Sequence, residues 1–415
     1  MSEELNFISP DAWQQREKLE AILNRILLVG VVLFVTALPI SIAICQSALG
    51  LAYAAWIGKM ILHGHRLVSR TPLDYFFLAY LVVEIWSLIF SQDRWTSLIY
   101  FRRMLLIPIV YLAADNVASE RFAKLLIAAL IGVMAILGIW GIYKYLGGPG
   151  GLAGRVSLRQ HYMTSGGLLM MVGAFSVAYA VSSAPWRIRL CAAFATLSII
   201  LTMIFTYTRS SWLGFIGSLI IIGMILSRKT IAVFLLAAAL LLALGPADLR
   251  DRAMSIVDPQ HARNLERTYM WQSGLAIIRD YPWTGVGDID FNKIYARYKS
   301  PQARESAGHL HNNFLMLGAT LGLPGLLAML ALFARIIAVE LNIVRRVAPA
   351  SWFCRSTAVA AFACFIGFQI NGLFEWNFGD TEIAMLLWFT IGLALAVERL
   401  AKLTPSPQQS SSTHT

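Results

Sequence analysis

The chain has 415 residues, 58% of them apolar and only 14% charged, with a mean hydropathy of +0.64 and a formal net charge of +11. Soluble domains carry about a quarter charged residues, so a soluble globular fold is excluded. Disordered, collagen-like and nucleic-acid-binding classes fall with it, because the basic residues interrupt long apolar runs instead of forming a continuous surface.

In chain order, residues 1–25 form a charged N-terminal segment. It contains Glu3, Glu4, Asp11, Glu17 and Glu20 without a small-residue cleavage site, so a removable signal peptide is not expected. Residues 11–25 suit an amphipathic helix on the cytoplasmic membrane surface. Apolar runs then predict spans at 26–45, 47–62, 73–90, 98–114, 122–146, 165–182, 188–207, 212–226 and 230–245, followed by 311–340, 356–373 and 382–400. The fold class predicted is an all-α integral membrane protein of about twelve transmembrane helices, nine over 26–245 and three over 311–400.

With the N-terminus inside, the connections predicted to be cytoplasmic carry Arg66 and Arg70, Arg121 and Lys124, Arg187 and Arg189, Arg228 and Lys229, and Arg345 and Arg346. That alternation follows the bias of Lys and Arg toward the cytoplasm. Residues 401–415, rich in Pro, Gln and Ser after Thr404, are expected as a disordered cytoplasmic tail. Cys45, Cys191, Cys354 and Cys364 sit in or beside apolar runs without metal-ligand spacing and read as packing residues.

One connection departs from the rest. Residues 246–310 form an outer loop of about 65 residues, where neighbouring helices are usually joined by a few. Its stretches 261–280 and Asp288–Tyr298 suit helices on either side of a turn at Gly285-Val286-Gly287, and the loop reads as a lid able to shift over the bundle.

Several polar residues oppose the topological bias. Arg209, in Thr208-Arg209-Ser210-Ser211-Trp212, lies at an outer span end, where it either meets an anion or snorkels to the surface. Arg267 lies on the first loop helix, where an intrahelical ion pair with a neighbour such as Glu266 competes with anion binding. His311, in His309-Leu310-His311-Asn312-Asn313, is either a solvated interfacial residue or a proton acceptor. Its i, i+2 spacing from His309 does not share a helix face, which argues against a paired metal site. Arg102, Arg103, Arg155 and Arg159 fall on the same side and are possible further substrate-binding residues, with anionic lipid head groups as the other partner. Guanidinium forks suit phosphate oxygens. No clustered carboxylates accompany these residues, so a metal is not required; Glu375 and Asp380, on the last outer loop, are the acidic residues that would matter if one were. An arginine pair and a histidine at one membrane face suit transfer from a lipid diphosphate, a donor already activated.

Thr208-Arg209-Ser210-Ser211-Trp212, Arg267 with Trp271, Pro282-Trp283-Thr284-Gly285-Val286-Gly287, and His311-Asn312 followed by Gly322-Leu323-Pro324-Gly325 together resemble the O-antigen ligase family of lipopolysaccharide assembly. Leu326 stands where the family often has Thr or Val. The resemblance implies a GT-C-type fold, Arg209 and Arg267 on the donor diphosphate, His311 as the catalytic residue, and neither metal nor cofactor. It further implies transfer of undecaprenyl-diphosphate-linked O-antigen to lipid A-core oligosaccharide at the periplasmic face of the bacterial inner membrane, with inversion. O-antigen polymerases and protein O-oligosaccharyltransferases share the superfamily and remain alternatives. A secondary transporter also fits twelve spans, although such proteins show repeated halves and ionisable residues near the midplane, and here the distinctive polar groups gather at one face.

Overall fold

The computed structural model describes residues 10–63, 68–147, 154–348 and 351–403. Arg66 and the tail from Thr404 lie outside the described residues. Among the described residues the chain is helical and contains no strand.

Helices α1 (Pro10–Ala37) and α2 (Ile42–His63) form an antiparallel pair. The predicted first span ran through Pro39; the helix stops at Ala37 instead, since proline lacks an N–H and its ring clashes with the preceding turn. Residues 11–25 are not a separate surface helix but the first half of α1. There Arg16 donates to the Leu62 carbonyl at 2.7 Å, Glu20 pairs with His63 at 3.1 Å, and the Leu23 side chain lies over Gly58.

After α3 (Asp74–Phe90), the segment predicted at 98–114 begins earlier, as α4 (Arg94–Phe101), capped by Asp93. It tightens into a 3-10 turn at Arg102–Leu106 and resumes beyond Pro108 as α5 (Ile109–Asn116). Then come α6 (Glu120–Gly147), α7 (Tyr162–Ala180), α8 (Trp186–Phe205), α9 (Arg209–Ile225) and α10 (Arg228–Leu244). α10 bends by 119° into α11 (Ala247–Met254) at Gly245-Pro246. The long loop continues with α12 (Ala262–Asp280) and α13 (Phe291–Tyr298), the two helices expected there. α14 (Asn313–Arg346), α15 (Trp352–Gly372) and α16 (Thr381–Leu403) complete the bundle. α7, α15 and α16 are buried along most of their length and form its centre.

Among the described residues, eight helical segments, with Arg94–Asn116 taken as one, are long and apolar enough to cross a membrane, nine if the bent α10–α11 pair is one span. α2, α3 and α9 coincide with the remaining predicted segments; α3 and α9 are only 17 residues long. The chain is a multi-pass helical membrane protein.

The loop is joined to the bundle by a backbone splice. α14 is interrupted at Gly322, which has φ +70, and Pro324 follows. In an unbroken helix the carbonyl of residue 320 would receive the N–H of residue 324, but proline has none. Thr320 O instead accepts from Gly287 N–H at 3.0 Å and Ser87 Oγ at 2.7 Å, while Ala319 O accepts from Val286 N–H at 2.9 Å. Leu323 N–H turns to the Pro282 carbonyl at 2.7 Å. The Pro282–Gly287 and Gly322–Gly325 motifs therefore complete each other's hydrogen bonding. Gly285 and Gly287, at φ +63 and +89, allow an approach so close that a Cβ on Gly285 would stand 2.2 Å from Thr320 O. The turn is thus an anchor, and the lid motion expected of it has no hinge there.

Gly285→Ala should be strongly destabilising, because backbone strain alone costs about 1–3 kcal/mol and the added methyl has no space. Gly132→Ala, with no atom within 4 Å of its Cβ position, serves as control. Thermal unfolding of the detergent-purified variants measures both; equal melting temperatures would refute the splice as a stabilising contact.

Candidate active site

The α8–α9 corner positions Arg209. Tyr207 adopts φ +52, which reverses the chain, and Trp212 Nε1 closes the corner by donating to the Met203 carbonyl at 3.1 Å. Thr208 Oγ1 donates to Tyr162 O, and Ser211 fits against Gly166, where a Cβ would lie 2.8 Å from its Oγ. Small residues here let α7 and α9 approach. Arg209 is buried at 6% exposure and reaches into the loop: Nη1 donates to Ser255 O at 2.6 Å and Oγ at 2.9 Å, and Nη2 to Asn264 Oδ1 at 2.8 Å. Surface snorkelling is therefore not its role. Of the five N–H groups of a guanidinium, two remain for a ligand.

Arg267 projects from α12. The intrahelical pair with Glu266 does not form, since the Glu266 carboxylate accepts backbone N–H groups of Arg304 and Glu305 at 3.0–3.3 Å. Arg267 Nη2 instead faces Glu375 Oε2 at 4.0 Å. Burial lowers the Arg267 guanidinium from its ordinary value; Glu375 opposes that shift and Arg263 adds to it.

His311 lies just before α14, with φ +46. Left-handed backbone costs an L-residue about 1–2 kcal/mol, and four contacts hold it. Trp271 Nε1 donates to Leu310 O at 3.1 Å; Asn312 caps α14 through Phe314 and Leu315 N–H; Asn312 Nδ2 donates to Leu373 O at 2.9 Å; and His311 Nδ1 meets Glu375 Oε1 at 2.9 Å. Because His309 and His311 precede the helix, the helical-face rule does not govern their spacing. The left-handed turn brings their rings to 4.2 Å.

Glu375 is 5% exposed and also accepts Trp376 N–H at 3.1 Å. Burial pushes its carboxyl up, but the hydrogen bond from His311 and the charges of His311 and Arg267 outweigh this and hold it well below the usual carboxylate range. Burial and the neighbouring His311 lower His309 to about 4, so it is neutral near pH 7.

Arg209, Arg267 and His311 line one cavity of about 220 Å³, together with Arg155, Arg252 and Arg263. The five arginines face only two glutamates in that wall, Glu266 and Glu305, so the cavity is electropositive and suited to an anion. Arg155 also stacks over Tyr162 at 4.4 Å, with its Nη1 buried and without a hydrogen-bond partner among the described residues. A second cavity of about 200 Å³ shares Arg209, Ser210 and Arg267 with the first and is also lined by Leu213, Ile256, Trp271 and Phe374.

The other sequence candidates are not in either wall. Arg103 pairs with Asp288, which precedes α13 in the chain, Arg102 is exposed in the 3-10 turn between α4 and α5, and Arg159 is exposed. Sequence reasoning passed over Arg252 and Arg263 as binding residues. It also separated Glu375 from the arginines and histidine, whereas folding places it against both; a lone acidic residue in the apolar stretch Leu373-Phe374-Glu375-Trp376 is the signal that marks it. Asp380 bonds elsewhere, to Thr164 Oγ1 at 2.9 Å.

Residues 192–330, from α8 through the break in α14, match the family model described as O-antigen ligase. The matched segment, about a third of the chain, contains Arg209, Arg267 and His311 but ends before Glu375. No curated protein sequence matches the chain.

The arginine wall should bind inorganic pyrophosphate in calorimetric titration of the purified protein. Arg209→Lys and Arg267→Lys should each weaken it by about tenfold or more, the scale of one charge-assisted hydrogen bond, while Arg159→Lys leaves it unchanged. Equal affinity in all three would remove the pair from anion binding.

Proposed function

From the match of residues 192–330 to the O-antigen ligase family model, we propose that the chain is an inverting glycosyltransferase that works without a metal. It moves O-antigen polysaccharide from undecaprenyl diphosphate to a hydroxyl of lipid A-core oligosaccharide at the periplasmic face of the bacterial inner membrane, on a GT-C-type scaffold. The observation that carries this reading is the His311–Glu375 contact of 2.9 Å at the edge of an arginine-lined cavity.

When Nδ1–H of His311 donates to Glu375, Nε2 keeps a lone pair for the acceptor hydroxyl. The acceptor oxygen attacks the anomeric carbon as its proton passes to Nε2. The bond from that carbon to the diphosphate breaks, and its electron pair leaves on the diphosphate oxygen. Arg209 and Arg267 meet the charge that develops there, in a buried wall where fixed donors act most strongly. Glu375 orients the ring and stabilises the imidazolium, as the carboxylate of a hydrolase triad does. The apolar residues Leu213, Ile256, Trp271 and Phe374, beside the same arginines, support a place there for the polyprenyl end.

His311→Ala should lower turnover by about 10²–10⁴-fold, the usual range for a positioned base, while donor affinity persists. Glu375→Gln, which keeps the shape and removes the charge, should change turnover in the same direction. Turnover should survive exhaustive chelation, and the product's glycosidic bond should have the configuration opposite to the donor's, since two displacements would retain it. Retained configuration, or full activity of His311→Ala, would overturn the mechanism. A reconstituted assay offering lipid A-core, a second glycan chain and a protein acceptor separates ligase from polymerase and oligosaccharyltransferase, and product formation of any kind excludes a transporter.

A further inference from the structure

We propose that His309, His311 and Glu375 form a binding site for a borderline-soft divalent cation of the Zn²⁺ type, whose occupation withdraws His311 from proton transfer. The proposal rests on His311 as the base for its inhibitory consequence, but not for the site itself.

One nitrogen from each histidine and one Glu375 oxygen all lie within 4.8 Å of one another. The second Glu375 oxygen, Oε2, is buried without a hydrogen-bond partner among the described residues and has only Arg267 Nη2 at 4.0 Å. A carboxylate with one oxygen unsatisfied leaves capacity for a ligand. Two imidazoles and one carboxylate are a donor set of open zinc sites, with a fourth position left for water. Zn–N and Zn–O bonds are about 2.0–2.2 Å long, so the three donors must draw closer. The His309 ring stands 4.2 Å from the His311 ring, and its Nδ1 accepts a long hydrogen bond of 3.3 Å from His311 N–H, a weak tie for the metal to replace. Magnesium has no such fit, since it prefers oxygen ligands and near-octahedral geometry.

Occupation removes two groups from the transfer reaction at once. The Glu375 carboxylate no longer orients the imidazole, and a His311 ring with one nitrogen on the metal is a weaker proton acceptor at the other. The surrounding arginines oppose a cation, which makes the site a reversible one instead of a permanently filled cofactor centre.

The test titrates the purified full-length protein in detergent with ZnCl₂ and with MgCl₂, following heat and, separately, glycan transfer. Wild type should bind one Zn²⁺ per chain and show no Mg²⁺ binding. His309→Ala should weaken Zn²⁺ by about tenfold or more, since even outer-sphere changes at metal sites cost that much. Zinc should reduce wild-type turnover, a chelator should restore it, and the zinc concentration for half inhibition should rise in His309→Ala by the same factor as the dissociation constant. Zinc affinity unchanged in His309→Ala, or bound zinc without loss of turnover, would overturn the proposal. Absence of glycan transfer by metal-free wild type would overturn the functional reading instead, and the binding titration still decides the site.

Discussion

The geometry of this protein depends on a helix that is broken where a membrane protein can least tolerate it. Unpaired backbone groups away from water cost several kcal/mol each, so the carbonyls released at Gly322 and Pro324 require donors. Among the described residues, the donors that serve them are the N–H groups of Val286 and Gly287 and the Ser87 hydroxyl. That requirement ties the loop to the bundle. α12 ends at Asp280, just before the splice, and α14 begins at Asn313, two residues after His311. The splice therefore sets where Arg267 stands relative to His311, and the Trp271–Leu310 bond completes the alignment at its other end.

Once the loop is seated, electrostatics decides the character of the cavity. Five arginines from the 154–159 connection, α9, α11 and α12 converge on a space where Glu266 is already committed to backbone N–H groups. Of the carboxylates that offset the charge of Arg267, Glu375 acts more strongly than Glu305, and it also holds His311. An anion entering the cavity relieves the repulsion among the arginines, and the same entry brings it beside a histidine whose second nitrogen is unengaged by Glu375. One carboxylate thus links the anion wall to the base, which makes Glu375 the residue through which charge on one side is felt on the other.

Much of the plan is legible in the chain itself. Apolar length determines the helices, the 65-residue interruption after α10 marks the loop, and the arginines expected on the face where basic residues are not favoured include Arg155, Arg209 and Arg267 of the cavity wall, because each of these readings rests on local composition or on side chemistry. The positions of Arg209, Arg267 and His311 belong to this class. Their neighbouring motif residues are of another kind: Trp212 closes a corner, and Gly285, Gly287 and Gly322 permit a close backbone approach, so their value is structural.

What only the tertiary structure decided are the contacts between distant segments. Glu375 lies 64 residues from His311, and no periodicity joins them; they meet because α14 and α15 pack side by side and the chain turns at their shared end. Arg103 and Arg155 look alike in sequence, as outer-face arginines, yet one pairs with Asp288 and the other lines the cavity, since helix packing alone determines which guanidinium finds a carboxylate. His309 and His311 are separated by the rule of helical faces until the backbone at His311 turns left-handed, and a single φ angle then places both rings together. Local chemistry is written along the chain, whereas the pairing of buried charges follows from packing energies summed over the whole bundle.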